Sequence, residues 1–292
     1  MSIFDNLITE KQYKASTGLS KAEFEFLLTF FEKYYEPKKP SPYPKVPQPV
    51  LTDKAEALFF ILHYFKAYPT LENMGLYFGF RTSTVSGYIE KLKPCLKAAL
   101  QEMGSLPPSL FKSQEEFDKA FEGVRELLVD GSEFPTNRSV EPDYQRFTYS
   151  GKKKRHGQKS LLISGADRLI RYVGALWNGR AHDKKMFDHE LGRFDFSGKI
   201  SHVDLGFHGI KNREGCGLVF MPHKKPKGGE LTKEQKEENR FLSSLRVRVE
   251  HAIGGVKRYF VLKIQNRFHF NKKTYDAIHI CAGLWNLKIL SS

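Results

Sequence analysis

Two aspartates in this sequence share a local pattern that can place a metal ligand. Asp130 directly follows the apolar run 127–129, Asp204 directly follows the predicted strand 200–203, and a glycine-containing loop comes after each. If the two predicted strands lie side by side in a mixed sheet, both carboxylates project from neighbouring strand ends. Divalent cations such as Mg²⁺ are held by a few such carboxylates together with water and phosphate oxygens. Asp-Gly is also a standard turn pair, so Asp130 taken alone favours a turn.

A third carboxylate, Glu250, lies on a long helix predicted from Thr232 to about Phe260. In this helix Glu250 is beside an apolar stripe with helical spacing. The stripe consists of Phe241, Leu245, Val249, Ile253, Val256 and Phe260. The alternative role for Glu250 is an ordinary i,i+4 ion pair with Arg246. The glycine pair 254–255 weakens that alternative, because glycine inside a helix costs about 1 kcal/mol relative to alanine. The pair therefore suggests close approach by another backbone or by DNA.

The composition favours a globular protein with an anionic partner. Hydrophobic residues make up 40% of the 292 residues, and 47 Lys and Arg face 33 Asp and Glu, for a net charge of +14. A basic surface of this kind favours a polyanion, since neutralising phosphates releases condensed counterions. Solubility or an anionic membrane surface would be the alternative explanation of the charge.

Cysteine usage and hydropathy indicate a soluble protein inside the cell. Three scattered cysteines, Cys95, Cys216 and Cys281, form no Cys-x-x-Cys pair, which argues against disulfides and zinc fingers. Residues 1–12 contain acidic side chains and no apolar core, so no signal peptide is predicted. The apolar patch 57–65 is too short to span a bilayer. We expect a cytoplasmic, nucleoid-associated protein if the source is bacterial and a nuclear one if it is eukaryotic, without a membrane partner.

Helical signals dominate the first hundred residues. A helix is predicted over 19–35, with Ser20 and Glu23 as a capping box. After a proline-rich connector, a helix begins near Leu51, with Thr52 or Asp53 as its cap. A second helix follows Thr70 and ends at Gly79, and a third opens over residues 80–86.

The helix that follows Thr70 and the helix that opens over residues 80–86 have the spacing of a helix-turn-helix. Short side chains at the start of the third helix would let its N-terminus approach phosphates and base edges. The predicted DNA-binding residues here are Arg81, Thr82, Ser83, Thr84 and Ser86. A three-helix packing unit without nucleic acid is the alternative.

Strand signals dominate after residue 107, which predicts an α/β fold with a mixed five-stranded sheet and flanking helices. The predicted organisation is an N-terminal helical segment over 1–36, a proline-rich linker over 37–50, a helix-turn-helix domain over 51–106 and a catalytic domain over 107–292. Within the last domain we expect a hairpin over 144–164, with its first arm ending at Ser150-Gly151. His182-Asp183 is predicted to begin a short helix, with Asp183 favoured as an N-terminal cap over a fourth site residue.

The order of the motifs resembles the DDE transposases, in particular their Harbinger and bacterial insertion-sequence-five (ISL-type) branch. The likeness extends from about residue 51 to the end of the chain. Its motifs are Val129-Asp130-Gly131, Tyr149 to His156, His182 to Lys185, Asp204-Leu205-Gly206-Phe207 and Arg246 to Gly254. One motif departs from the family, which commonly has Lys-Gly-Tyr after its second aspartate where this chain has Leu205-Gly206-Phe207.

The resemblance implies an RNase H-like catalytic domain with a triad of Asp130, Asp204 and Glu250. In that family the triad binds two Mg²⁺ or Mn²⁺ ions, about 3.5–4 Å apart, for phosphoryl transfer. The implied partners are double-stranded DNA of the transposon ends and the target. The resemblance also implies a homodimer or higher assembly when two ends are synapsed.

Basic residues near the implied site are predicted to grip the DNA backbone. They are Lys152, Lys153, Lys154, Arg155 and His156 in the hairpin turn, together with Arg246 and Lys257 beside Glu250. For the hairpin run the alternative is a solvated turn. The predicted function is cut-and-paste transposition. The rival functions are an inactive, transposase-derived DNA-binding protein and a metal-dependent endonuclease without strand transfer.

Overall fold

The structure is a computed structural model, and it describes residues 2–39, 42–43, 50–151, 153–268 and 271–291. Most of the predicted proline-rich linker, residues 40–41 and 44–49, lies outside the described residues. The chain divides into two compact units. The first comprises residues 1–106, 257–264 and 286–292, and the second comprises residues 107–256 and 265–285. The four predicted domain ranges stay a prediction.

The first unit is helical. Its helices are α1 (Glu10–Ser16), α2 (Lys21–Tyr34), α3 (Lys54–Ala67), α4 (Leu71–Phe78), α5 (Thr82–Glu102) and a short α10 (Phe260–Lys263). The capping signals in the sequence are confirmed. Ser20 forms a capping box with Glu23, and Asp53 rather than Thr52 caps α3. Thr70 caps α4, which ends at Gly79 in the left-handed conformation with φ of 70°.

Helix α3 is more deeply buried than its sequence pattern predicts. The expected single apolar face would leave the other side of the helix solvated, but every residue from Ala57 to Phe65 is buried. The reason is that this stretch is apolar nearly all round, so neighbouring helices cover it on every side. Its one polar member, His63, accepts or donates a hydrogen bond at 3.2 Å to the carbonyl oxygen of Ser16.

Residues 257–264 complete the core of the first unit. Val261 and Leu262 of α10 are buried. Lys66 of α3 donates a hydrogen bond to the carbonyl oxygen of Arg258 at 3.1 Å. The Tyr259 ring lies so close to Gly18 that a Cβ atom at this glycine would overlap it. The first hundred residues therefore depend on a segment that follows them by more than 150 positions.

The second unit is built on a mixed sheet. Its strands are β1 (Glu126–Pro135), β2 (Tyr149–Ser150), β3 (Arg155–Gly165), β4 (Ile170–Val173), β5 (Trp177–Asn178), β6 (Ile200–His202) and β7 (Leu218–Phe220). The order is β2-β3-β1-β6-β7, and β4 and β5 also pair with β3. β1 is antiparallel to β3 and parallel to β6, and β6 is parallel to β7. The sheet has seven strands rather than the predicted five, partly because β2 and β5 are two-residue strands that were too short to predict.

Helices α6 (Gln114–Ala120), α7 (Pro142–Thr148), α8 (Asp183–Leu191), α9 (Lys233–Val256) and most of α11 (Asn271–Leu290) belong to this unit. The predicted first arm of the hairpin is wrong over most of its length, because residues 142–148 form α7 with Pro142 at its start. One apolar core joins the sheet to α6 and α8, and it includes Phe117, Phe187 and Phe196. Such a mixed sheet with flanking helices is consistent with an RNase H-like domain.

Helix α9 ends earlier and buries a different face than its sequence predicts. It ends at Val256, and Phe241 is 63% exposed. The buried residues are Leu242, Val249, Ala252, Gly255 and Val256. The two glycines of the pair 254–255 have different surroundings. A Cβ atom at Gly255 would overlap the Trp285 ring, whereas Gly254 faces open space.

No helix in the described part of the chain is long and apolar enough to cross a membrane.

Candidate active site

The register of β1 and β6 brings Asp130 and Asp204 to equivalent positions. These parallel strands pair up to Leu128 and His202, and each aspartate lies two residues beyond that pair. Because side chains two residues apart share a face of a strand, the two carboxylates lie on the same side at the same level. The predicted juxtaposition of these two residues is thus supported by the strand pairing.

Asp130 is inside a strand and not at its exit. β1 continues to Pro135, and residues 130–135 pair with β3, from Asp130 opposite Leu162 to Pro135 opposite Gly157. The neighbouring β6 ends at His202, so β6 does not pair with β1 beyond Leu128. The strand end that opens the site therefore belongs to β6, and Asp130 is held more rigidly than a turn would hold it.

Each aspartate has one carboxylate oxygen engaged in a local hydrogen bond. The Ser132 hydroxyl donates to Oδ2 of Asp130 at 2.9 Å. The Gly206 backbone N–H donates to Oδ1 of Asp204 at 2.7 Å, which caps the short 3₁₀ helix 205–207. Among the described residues, Oδ1 of Asp130 and Oδ2 of Asp204 have no hydrogen-bond partner.

A third carboxylate, Asp183, lies against the glycines that accompany these two aspartates. A Cβ atom at Gly131 would overlap Oδ1 of Asp183, and one at Gly206 would overlap Oδ2. Lys159 of β3 donates to Oδ1 of Asp183 at 3.1 Å, and both side chains are less than one-fifth exposed. Neither glycine could be replaced by a larger residue without displacing this carboxylate.

The charged groups around Asp183 shift its pKa in opposite directions. Burial raises the pKa of Asp183, the Lys159 ammonium lowers it, and the carboxylates of Asp204 and Asp130 raise it further. Their influence shows that all three carboxylates share one electrostatic environment. The sequence had favoured Asp183 as an N-terminal cap. The structure instead makes His182 the capping position, without a side-chain hydrogen bond, and Asp183 the first helical residue.

A cavity of 320 Å³ adjoins Asp183 and Gly206. Its remaining lining residues are Glu133, Ser150, Gly151, Lys159, Gly179, Arg180, Ala181 and His182. Glu133 accepts a hydrogen bond from the Ser150 hydroxyl at 3.0 Å and lies 3.9 Å from Nε of Arg155. Glu133, Lys159 and Arg180 were not among the predicted site residues. Their spacing in the sequence gives no signal, because the pairing of β1 with β3 places Glu133 opposite Lys159, and the packing of the segment after β5 brings Arg180 to the same cavity.

Glu250 lies on the exposed side of α9, which packs against β1 and β3. Within the described residues it forms no ion pair with Arg246, and no three acidic, histidine or cysteine side chains are arranged around a common metal position. Its role as the third metal ligand stays a prediction.

The donor set of the cluster fits a divalent cation. Mg²⁺ is commonly held by one or two carboxylates plus water and phosphate oxygens, and Asp130 and Asp204 each offer one free oxygen. The predicted second ion would need Glu250 as well.

The basic residues of the hairpin turn are exposed. Lys152 lies outside the described residues, whereas Lys153 and Lys154 are exposed on the turn between β2 and β3, and Arg155 is exposed at the start of β3. His156 is partly buried, with Nδ1 at 3.0 Å from the Thr148 hydroxyl. Arg246 and Lys257 are both partly buried, and they lie in different units of the chain.

The predicted helix-turn-helix residues lie at the start of α5. Arg81 is its capping position without a side-chain cap, and Arg81, Thr82, Ser83 and Ser86 are exposed, whereas Thr84 is partly buried. The helix start is thus accessible, and DNA binding by it stays a prediction.

Comparison with known proteins decides the family. Residues 129–286 match the family described as DDE superfamily endonuclease. This chain belongs to that family. The matched segment includes the three clustered aspartates, Asp130, Asp183 and Asp204, and it also includes Glu250.

Two named relatives of this DDE endonuclease come from bacterial insertion sequences. The chain is 28% identical over 283 residues to the "Probable transposase for insertion sequence element IS702" of Microchaete diplosiphon, covering 97% of this chain and 96% of the relative. It is 25% identical over 202 residues to the "Putative transposase for insertion sequence element IS112" of Streptomyces albus G, covering 68% and 67%. No solved structure gives a significant match.

Proposed function

We propose that this DDE endonuclease is a bacterial insertion-sequence transposase of the Harbinger and insertion-sequence-five branch, which cuts the ends of its own element and joins them to target DNA. The observation that supports this most directly is the equivalent placement of Asp130 and Asp204 at the end of the parallel pair β1 and β6. The two relatives that bear transposase names support the same assignment.

In this proposal, Asp130 and Asp204 hold a divalent cation, Mg²⁺ or Mn²⁺, and Glu250 joins them when DNA is bound. The cation would supply Lewis-acid stabilisation of the charge on the phosphate oxygens. The carboxylates would hold the cation in place and offset part of its positive charge, and Lys159 limits the repulsion within the cluster by pairing with Asp183.

Duplex DNA is bound in two places under this proposal. The start of α5 contacts the element ends through Arg81, Thr82, Ser83, Thr84 and Ser86. The turn between β2 and β3 contacts the backbone near the cleaved phosphate through Lys153, Lys154 and Arg155, which are exposed. Two protomers would hold the two ends together, since joining both ends to one target requires them to be adjacent.

The test is strand cleavage and strand transfer on labelled duplexes taken from either side of the gene, in Mn²⁺. Wild type should nick the duplex at the element end and join it to a plasmid target. Asp130→Asn and Asp204→Asn should abolish both products. The matched control is Asp188→Asn on α8, because within the described residues the ion-pair partner of Asp188 is the neighbouring Lys184.

Cleavage that survives Asp130→Asn would contradict the carboxylate assignment. Cleavage without a joined product would mean that the protein is an endonuclease without strand-transfer activity. Binding of the element ends without any cleavage by wild type would favour a DNA-binding protein of transposase descent.

A further inference from the structure

The 320 Å³ cavity lined by Asp183 and Gly206 is called the carboxylate cavity below. A second cavity, of 570 Å³, lies beside it, and we call this one the arginine–tyrosine pocket. It is lined by Arg138, Gln145, Arg146, Tyr149, His156 and Arg180, together with Gly151. Gly151 and Arg180 also line the carboxylate cavity, so the two cavities adjoin each other. Its volume lies within the range of roughly 300–1,000 Å³ that is typical of ligand sites.

The three guanidinium groups of the pocket are available for an anion. No acidic side chain is among its described lining residues. Arg180 has no hydrogen-bond or ion-pair partner in the described part of the chain. Arg146 faces Asp143 at 3.6 Å, with both side chains more than three-quarters exposed, and exposed pairs of this kind contribute little. Arg138 uses only its Nε, which donates to Oε1 of Gln145 at 2.9 Å.

The Tyr149 ring is held in place and still partly open. It forms a T-shaped contact with the His156 ring, with centroids 5.5 Å apart, and Tyr149 is 43% exposed. The Nδ1 atom of His156 lies 3.0 Å from the Thr148 hydroxyl, which fixes the ring that supports the tyrosine. An anchored and accessible aromatic ring offers a stacking surface for a planar ligand.

Backbone packing brings Arg180 to this tyrosine. A Cβ atom at Gly179 would overlap the carbonyl oxygens of Thr148 and Gly157. The glycine therefore allows the segment after β5 to lie directly against the end of α7 and against β3, and the residue that follows it is Arg180. The close approach explains why a glycine precedes the arginine that both cavities share.

We infer that the arginine–tyrosine pocket binds one unpaired nucleotide of a DNA strand, next to the phosphate that is cut. Stacking on an aromatic side chain needs the face of a base, and in a duplex both faces are covered by neighbouring base pairs. Three arginines around one ring match a base flanked by its phosphates, whereas a free phosphate would make no use of the ring. This inference rests on the proposed function, because it places the nucleotide beside the carboxylates that act on DNA.

The experiment measures binding of single-stranded DNA by the full chain in EDTA, where no cleavage occurs. The probe is a short oligonucleotide with one 2-aminopurine, whose fluorescence falls when the base stacks on a ring. Wild type should bind this oligonucleotide, and binding should quench the 2-aminopurine fluorescence. Tyr149→Ala should weaken binding by about tenfold and abolish the quenching, because stacking accounts for a contribution of that size per base.

Two variants separate stacking from a general loss of folding. Tyr149→Phe keeps the ring and should retain both affinity and quenching. Phe147→Ala removes a ring that is 57% exposed and does not line the pocket, so it should bind as wild type does. Arg180→Gln should lower affinity and reduce the slope of log affinity against log salt by about 0.7, as expected for one lost phosphate contact on a single strand.

Unchanged binding and quenching in Tyr149→Ala would overturn the inference, as would an equal loss in Phe147→Ala. The proposed function is measured separately by cleavage of duplex ends in Mn²⁺. A wild type that cleaves duplex ends but shows no Tyr149-dependent quenching refutes the pocket alone. A wild type that shows the quenching but never cleaves refutes the proposed function alone.

Discussion

Lys159 and Asp183 form an ion pair at 3.1 Å that joins β3 to the first turn of α8 directly beside Asp130 and Asp204. The pair balances one of three clustered carboxylates. Without the Asp183 charge, we expect the Lys159 ammonium to be drawn towards the remaining two, where it competes with the cation they would hold.

Asp183→Asn should therefore raise the Mn²⁺ concentration for half-maximal cleavage by about tenfold, which corresponds to about 1.4 kcal/mol. A metal titration of strand cleavage measures this effect. The control is Asp188→Asn, five residues along the same helix, which removes the same charge outside the cluster. An unchanged titration in Asp183→Asn would show that this carboxylate does not influence the cation.

The glycine pair in α9 gives a matched test of the structure. Gly254→Ala should raise the free energy of unfolding by about 1 kcal/mol, because it adds a helix-favouring methyl group in open space. Gly255→Ala should lower it by about 1–3 kcal/mol, because the methyl group would overlap the Trp285 ring. Urea unfolding of both variants measures the difference. The same sign for both would contradict the packing of α9 on α11.

Glu190 should make stability depend on pH in a direction opposite to that of a salt-bridged carboxylate. Its carboxylate accepts hydrogen bonds from the Tyr172 hydroxyl at 2.8 Å and from the Trp177 indole. Burial raises the pKa of Glu190, while these hydrogen bonds lower it by a smaller amount. The native chain thus keeps this proton to a higher pH than the unfolded chain, in which it is released near about 4.3.

The contribution of Glu190 to the free energy of unfolding should accordingly fall as pH rises from about 4.3 to its pKa in the native chain. The slope is at most about 1.4 kcal/mol per pH unit, and the contribution stays constant at higher pH. Glu190→Gln keeps the shape and cannot release a proton. Its unfolding free energy relative to wild type should increase over that window. Parallel curves for the two proteins would mean that Glu190 titrates normally.

The start of α5 should be required for binding duplex DNA. Arg81→Ala should weaken binding of element-end duplexes in EDTA and reduce the salt slope by about 0.9, because one phosphate contact is lost. Lys21→Ala is the control, since it removes an exposed charge at the start of a different helix. Equal effects of the two variants would indicate general charge attraction in place of a binding helix.

Leu205 offers a gain-of-function test. It is 42% exposed in the short 3₁₀ helix directly after Asp204, where the transposase branch that the sequence resembles commonly has lysine. Leu205→Lys should tighten DNA binding and steepen the salt slope by about 0.9. Leu218→Lys, at a position 54% exposed on β7, adds the same charge away from this turn. A tighter complex in both variants would trace the effect to net charge alone.

Local signals in the sequence predicted the parts of the fold that depend on near neighbours. The caps Ser20, Asp53 and Thr70 and the stop at Gly79 each involve hydrogen bonds or backbone angles within four residues. The sequence also predicted Asp130 and Asp204 at neighbouring strand ends if the two strands lie side by side, but it did not predict that these strands are parallel.

Features set by pairing between distant residues were not predictable in the same way. Asp130-Gly131 signals the end of a strand, yet β1 continues through it to Pro135, because β3 pairs with residues 127–135. Asp183 resembled a cap because nothing in its neighbourhood shows that Gly131 and Gly206 leave space for its carboxylate. The buried face of α9 was misjudged for a related reason, since Phe241 and Leu242 differ in burial only through what packs against the helix.

The interleaved chain path of the first unit has a consequence for synthesis. Residues 1–106 cannot enclose α3 until residues 257–264 have been made, because Tyr259, Val261 and Leu262 belong to the same core. The unit translated first therefore cannot complete its core until the ribosome has passed residue 264, after the Glu250 codon. A fragment ending at residue 106 would leave apolar surface open, so premature termination should give a product cleared by proteolysis rather than a free competitor for DNA.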